Sequence, residues 1–229
     1  MVAEQNMFIG VGIYTVPDAA RLTGLSQAQV RHWINGYSYK AGAVIRRIPS
    51  VINRQLPKLD DETALGFLDL IEMRVIHELL KKSFSLQEIR VVHDRAQQLF
   101  QSQHPFAVAQ FKTVNKENAK EIFSEVDAAL IDVRHKQYAI DRIVGPYLED
   151  LDFEGDLARR WWPLKTDHSV VIDPARRSGQ PIVTNEGIAT KILYDTYLAE
   201  RSVEVVADWY EITMESVNGA IAFEQKFAA

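Results

Sequence analysis

YTVPDAARLTGLSQAQVRHWINGY, residues 14–37, is the stretch on which the reading of this chain turns. Thr15 followed by Asp18 is a capping-box pattern, and Pro17 is harmless in a first turn, where backbone N–H groups have no intrahelical partner. Ala19, Ala20 and Leu22 carry a first helix to Thr23. Gly24 then supplies the left-handed residue that ends it. Ser26 opens a second helix and Gln29 completes a second capping box. Ala20, Gly24 and Val30 fall where two crossed helices need a small contact, a positive-φ turn and a core anchor. On the second helix Val30, Trp33, Ile34 and Tyr37 follow helical spacing and should face inward. Ala28, Arg31, His32 and Asn35 form the opposite stripe, with Gln27 and Gln29 beside it. A small residue, amides and a guanidinium are the groups that read base edges in a major groove. An ordinary helical hairpin with a polar outside is the alternative.

The residues flanking this stretch are basic. Between Met1 and Lys58 the cations Arg21, Arg31, Lys40, Arg46, Arg47, Arg54 and Lys58 face only Glu4 and Asp18, so this segment carries +5 in a chain of net charge -5. The remainder therefore carries -10. Such asymmetry points to an electropositive head on an acidic body. With 229 residues, 47% apolar content and no cysteine, the chain can bury a core and has neither disulfides nor thiolate metal sites. No apolar run approaches the roughly 18 residues of a membrane span, and the N-terminus lacks the basic and apolar regions of a signal peptide. A cytoplasmic setting is expected, with no membrane partner.

Past Gly36, residues 37–59 hold Tyr, Arg and Pro around a β-branched run at Val44 to Ile48. A wing fits: a small hairpin beside the recognition helix that offers Lys40, Arg46, Arg47 or Arg54 to phosphates. A flexible basic loop is the alternative, since Pro49 and Pro57 interrupt any long strand. A long helix is predicted from Asp60 or Asp61, with Leu68, Ile71, Val75, Ile76, Leu79 and Leu80 as its buried stripe. Ser85 and Glu88 cap another through Leu86, Ile89, Val92, Ala96 and Leu99.

The order Tyr14-Thr15-Val16, Ala19 to Ser26, Val30-Arg31-His32-Trp33, a basic wing and then Phe84-Ser85-Leu86-Gln87-Glu88-Ile89-Arg90 resembles the winged heads of MerR-type regulators over about the first hundred residues. The wing is longer than that family's usual one.

From Phe106 to Leu164 the pattern changes. Residues 110–114 and 120–126 read as β-rich, 138–148 as a short helix, and 151–153 and 158–162 as short strands, a small α+β segment. Trp161, Trp162 and Leu164 are a large apolar payload, either core or a subunit interface. Beyond it, Val170-Val171-Ile172 and Pro181-Ile182-Val183 predict two strands joined by a tight connection. Three helices follow, through Ile192 and Leu193, through Val206 and Trp209 after the Ser202 cap, and through Val217 and Phe223 after the Thr213 cap. They look like a second helix-turn-helix. From Thr190 onward three bases meet seven acids, -4 on the helices that would face phosphate, so self-association or a protein partner suits this tail better than DNA.

Ile172-Asp173-Pro174, Gly179-Gln180-Pro181, Gly187 and Thr190, then Ser202, Glu204, Ala207, Thr213, Val217 and Ala220, resemble a small family of bacterial domains of unknown function. Where that family usually has Gly-Thr-Arg, this chain has Glu186-Gly187-Ile188. Such domains sit beside genes for PIN-like ribonucleases, and the whole arrangement resembles the larger VapB-type antitoxins. The resemblance implies a PIN-like endoribonuclease toxin as partner.

Enzymatic signatures are missing. His32, His77, His93, His104, His135 and His168 are scattered without metal-ligand spacing, there is no P-loop or nucleophile motif, and Gly179-Gln180-Pro181 is a turn rather than a phosphate cradle. No cofactor is expected. The sequence therefore predicts a mainly α, α+β protein in three parts. Residues 1–104 form a MerR-like winged helix-turn-helix that contacts operator DNA through Gln27, Ala28, Gln29, Arg31, His32, Asn35, Lys40, Arg46, Arg47 and Arg54. Residues 105–164 form the α+β connection. Residues 165–229 form a homeodomain-like three-helix unit, preceded by a β-hairpin, for dimerisation or toxin binding. Trp161, Trp162, Leu164 and Trp209 are the candidate interface residues. The function expected is that of a dimeric antitoxin and autorepressor. A stand-alone MerR-type regulator with a small effector, or an adaptor that binds no DNA, are the competing readings.

Overall fold

The computed structural model describes residues 8–59, 61–82, 84–109, 148–165 and 167–228. Among them are seven α-helices and two small antiparallel sheets, an α+β protein. None of those helices is long and apolar enough to cross a membrane. The strands and helix expected over 110–114, 120–126 and 138–148 lie almost wholly outside the described residues. The chain divides into two compact units, Tyr14–Glu149 with Phe153–Ala158, and Met1–Ile13 with Asp150–Asp152 and Arg159–Ala229.

The first unit opens with α1 (Val16–Thr23) and α2 (Gln27–Asn35). Both capping boxes form. Asp18 N–H donates to Thr15 Oγ1 at 3.3 Å while Thr15 N–H donates to Asp18 Oδ2 at 3.0 Å. Ser26 and Gln29 repeat the exchange at 3.2 and 2.9 Å. Each box satisfies donors that helix geometry leaves orphaned, worth about 1 kcal/mol per cap. Gly24 ends α1 in the left-handed region, φ 71°. Val30, Trp33 and Ile34 are buried as the spacing predicts. Tyr37 is not: it stands 38% exposed. The helix stops at Asn35, and Gly36 (φ 68°, ψ -178°) turns the chain into a strand, so Tyr37 no longer shares the helical face.

That strand, β1 (Tyr37–Ala41), pairs antiparallel with β2 (Val44–Ile48) through the two-residue loop at Gly42 and Ala43. Pro49 follows immediately, where no further ladder bond could be donated. The long helix α3 (Phe67–Lys81) begins later than Asp60 or Asp61. Asp61 instead sits at φ 63° in the turn closed by the Leu59–Glu62 bridge. The first-turn carboxylate is supplied by Asp69, which accepts from Gly66 N–H at 2.8 Å. The predicted stripe is buried except at Leu80, which is half-buried. Helix α4 (Leu86–Phe100), capped by Ser85 with Glu88, lays Ile89, Val92 and Ala96 into the same core, and a short 3-10 turn at Pro105–Ala107 packs beside it.

A polar cluster lies inside this core. Asp69 and Glu72 of α3 are wholly buried, with His93 of α4 and His104 beside them. Glu72 accepts from the ring nitrogens of His93 at 3.0 Å and His104 at 3.4 Å, and from Phe106 N–H at 3.2 Å. Asp69 also accepts from Gln55 N–H at 3.0 Å. The cluster thus ties together α3, α4, the segment after the hairpin and the 3-10 turn. Burial pushes Glu72 up, but the His93 and His104 rings outweigh it and hold the carboxyl below its usual range. Burial pushes His104 down, and its bond to Glu72 reverses this to a net rise. Asp69, with less compensation for burial, is pushed up to about 6.

Strands β3 (Leu151–Glu154), β4 (Leu157–Trp161), β5 (Val170–Ile172) and β6 (Pro181–Val183) form a sheet in that order, of which Phe153–Ala158 belong to the first unit and the remainder to the second. All three residues of β5 are buried, the continuous apolar run of an interior strand. The link from β5 to β6 is not tight. It spans residues 173–180 and contains a 3-10 turn with Arg177 and Ser178 at positive φ. Helices α5 (Thr190–Glu200), α6 (Val203–Tyr210) and α7 (Met214–Lys226) follow, with Leu193, Val206, Val217 and Phe223 buried.

Candidate nucleic-acid interface

Helix α2 is pinned from behind and open in front. Its C-terminal carbonyl at Trp33 accepts from Val51 N–H at 2.7 Å. The turn preceding it rests on α3, where the His77 ring bonds the Thr23 carbonyl at 2.7 Å. On the free side Gln27, Ala28, Gln29, Arg31, His32 and Asn35 are all exposed. Their availability differs. Arg31 donates to Gln27 Oε1 at 3.3 Å, one helical turn away, which aligns the guanidinium along the stripe. Gln29 spends its carbonyl oxygen on the Ser26 cap. The Asn35 amide donates to Thr63 Oγ1 at 3.2 Å, so it is held back toward its own unit.

The hairpin beside α2 is exposed along almost its full length, with only Ile48 half-buried. Directly opposed residues in an antiparallel pair share a face. The register therefore sorts the cations: Lys40 and Arg47 lie on one face with Ser38 and Ile45, and Arg46 lies on the other with Tyr37, Tyr39 and Val44. On that second face an aromatic row leaves the helix. The His32 ring stacks on Tyr37 with centroids 4.5 Å apart, and Tyr37 meets Tyr39 at 6.3 Å. Arg54, beyond the hairpin, is also exposed. Arg90 of α4 donates to the Pro49 carbonyl at 3.2 Å and so fixes the point where the hairpin leaves. Arg31, His32, Lys40, Arg46 and Arg47 are thus brought onto one helix and its adjoining hairpin, an arrangement suited to gripping an anionic backbone while a helix face reads edges.

Sequence reasoning missed the positioning residues His77 and Arg90, the tyrosine row and the buried carboxylates. A signal for the last was present: Glu72 stands four residues after Leu68 and four before Ile76, inside the predicted apolar stripe.

The candidate interface residues of the second unit separate. Trp161 is a core residue, 2% exposed. Its indole N–H donates to Asp150 Oδ2 at 2.9 Å and its ring meets Phe227 edge-on at 5.8 Å, so it has no face to offer a partner. Trp162 is half-buried and stacks on His168 at 4.3 Å, and Leu164 is half-buried. Trp209 alone among these four is open to solvent, at 63%.

Residues 170–223 match the family described as a protein of unknown function, DUF433. Over 95% of its length the chain is 25% identical to a Mycobacterium tuberculosis protein named "Putative antitoxin VapB45", 96% of which is covered. The crystal structure of Rv2018 from Mycobacterium tuberculosis has the same fold, with a TM-score of 0.70 and 20% identity over 93% of this chain and 99% of that one. In sequence, then, this chain is similar along nearly its whole length to a protein that carries the name "Putative antitoxin VapB45".

Proposed function

We propose that this protein is a DNA-binding antitoxin that neutralises a PIN-like endoribonuclease and represses its own operon as a dimer in the cytoplasm. Its head acts as a winged helix-turn-helix of the MerR kind. The observation that carries this reading is the outward stripe of Gln27, Ala28, Arg31 and His32 on α2, flanked by a hairpin bearing Lys40, Arg46 and Arg47. The stripe reads base edges and the hairpin and Arg54 grip phosphates. Similarity over 95% of the chain to a protein named "Putative antitoxin VapB45" supports the toxin partner. Dimerisation follows from need: one recognition helix covers a few base pairs, and two on a symmetric site double the contacts.

The test is a gel shift on the promoter of its own operon, paired with co-expression of the neighbouring nuclease. Wild type binds the promoter and relieves the growth arrest that the nuclease causes. Arg31→Ala loses about 1–3 kcal/mol of operator affinity while still relieving the arrest. Equal promoter binding by wild type and Arg31→Ala would remove α2 as the reading helix.

A further inference from the structure

The three-helix tail has an open corner where α6 passes into α7. The inner face of α6 is buried through Val206 and Ala207. Its outer face presents Glu204 and Asp208, one turn apart, and Glu211 follows as the left-handed cap of the helix at φ 53°; all three are exposed. Beside them Trp209 is 63% exposed, and Met214, the first residue of α7, is 51% exposed next to the exposed Glu215. Residues 200–215 hold five acids, Glu200, Glu204, Asp208, Glu211 and Glu215, against the single base Arg201. The Arg201 Nε–H donates to the Leu198 carbonyl at 3.0 Å, back along its own helix.

Three kinds of occupant can be weighed for an exposed indole and thioether rimmed by carboxylates. DNA is repelled, because affinity for a duplex comes from neutralising phosphates. A second copy docked through a two-fold axis would set the same patch against itself, carboxylates facing carboxylates. A cationic protein surface fits: lysine and arginine pair with the rim, and an arginine can lie over the indole. Tryptophan is also the residue most enriched at the energetic centre of interfaces.

We propose that this corner docks the cationic, RNA-binding face of the nuclease toxin, with Trp209 as anchor and Glu204, Asp208, Glu211 and Glu215 as the charged rim. The proposal rests on the antitoxin reading above and names the surface that reading needs. A nuclease must offer cations to the phosphates of its substrate and flat surfaces to its bases. The corner supplies carboxylates in place of phosphates and an indole in place of a base, so it occupies the site in competition with RNA.

The experiment uses the full-length chain and, as probe, the purified PIN-like protein encoded beside it, made catalytically inactive and loaded with a short fluorescent RNA. Wild type displaces the RNA, and its affinity for the nuclease falls as salt rises. Trp209→Ala and the triple variant Glu204→Gln, Asp208→Asn, Glu211→Gln each weaken binding about tenfold or more. All these side chains are exposed, so far-UV circular dichroism and promoter binding stay at wild-type values. Unchanged affinity in both variants, or RNA that stays bound in a ternary complex, overturns the corner and leaves the antitoxin reading standing. A homodimer that Trp209→Ala dissociates in sedimentation assigns the corner to a second copy and overturns the proposal. Failure of wild type to bind the nuclease at all overturns the proposal together with the antitoxin reading.

Discussion

Replacing Glu72 by glutamine tests how the head is held together. Glu72 Oε1 accepts from His93 at 3.0 Å and Phe106 N–H at 3.2 Å, and Oε2 accepts from His104 at 3.4 Å, with the carboxylate itself wholly buried. Glutamine keeps one acceptor oxygen for the first two. Its NH₂ then points at His104, and the negative charge between two imidazoles is gone. Breaking one side of a buried, hydrogen-bonded charge pair costs roughly 3–5 kcal/mol, and the retained bonds place Glu72→Gln at the lower end, about 3 kcal/mol. For a chain of this size that is a fall in Tm of roughly 6–12 °C.

The pH dependence of stability separates this account from simple mispacking. His104 is raised above 6.5 in the folded state, so its contribution is complete below pH 6.5 and is lost as pH rises through the folded value. Glu72 is held below 4.5, so its contribution is complete above pH 4.5 and is lost as pH falls through the folded value. Asp69 works the other way: raised from 3.8 to about 6, it favours the folded state as pH falls across that window. Urea titrations between about pH 4 and pH 8.5 should show wild type losing stability on the alkaline side. In Glu72→Gln that slope disappears, and stability rises as the medium is acidified through Asp69's window. A variant within about 0.5 kcal/mol of wild type at pH 6, or one that keeps the alkaline slope, refutes the reasoning.

Arg46→Ala and Arg47→Ala should each weaken binding to operator and unrelated duplex alike, and each lost phosphate contact should lower the slope of log affinity against log salt by about 0.9. Anisotropy titrations at several salt concentrations check this. Gly36→Ala should destabilise the head by at least about 1–2 kcal/mol, because φ is 68° there and an added Cβ would lie 2.5 Å from the Ile48 carbonyl oxygen. Faster proteolysis at the hairpin and a lower urea midpoint are the readouts. Trp161→Phe removes the indole N–H that bonds Asp150 at 2.9 Å and should cost about 1–2 kcal/mol by thermal melting, with operator affinity unchanged.

The parts of this protein legible in the sequence are those governed by contacts between near neighbours. Thr15 with Asp18, Ser26 with Gln29 and Ser85 with Glu88 each cap a helix from three residues away, and Gly24 ends one by its own φ, so helix starts and the turn could be read from the chain alone. The inward set Val30, Trp33 and Ile34 follows from a 3.6-residue period, and the outward set with Arg31 and His32 is its complement. The start of α3 was misread because two adjacent aspartates look like a cap. The real start depends on Asp69 reaching back to Gly66 and across to Gln55, fourteen residues upstream. Tyr37 is misplaced when the helical period is carried on through Gly36, whose positive φ is itself the local stop that turns the chain into a strand.

Tertiary structure alone decided which of these residues are free to act. It held Asn35 back on Thr63, aligned Arg31 with Gln27, drew His32 into a row with Tyr37 and Tyr39, and sorted the hairpin's cations between its two faces by a register that no composition reveals. It buried Trp161 and left Trp209 in water, although each follows a charged residue and precedes a second aromatic one in the sequence. Helix caps and periodicity are properties of a few consecutive residues, and the chain carries them wherever it goes. Exposure and charge pairing are set by segments tens of residues apart, and they exist only once those segments have met.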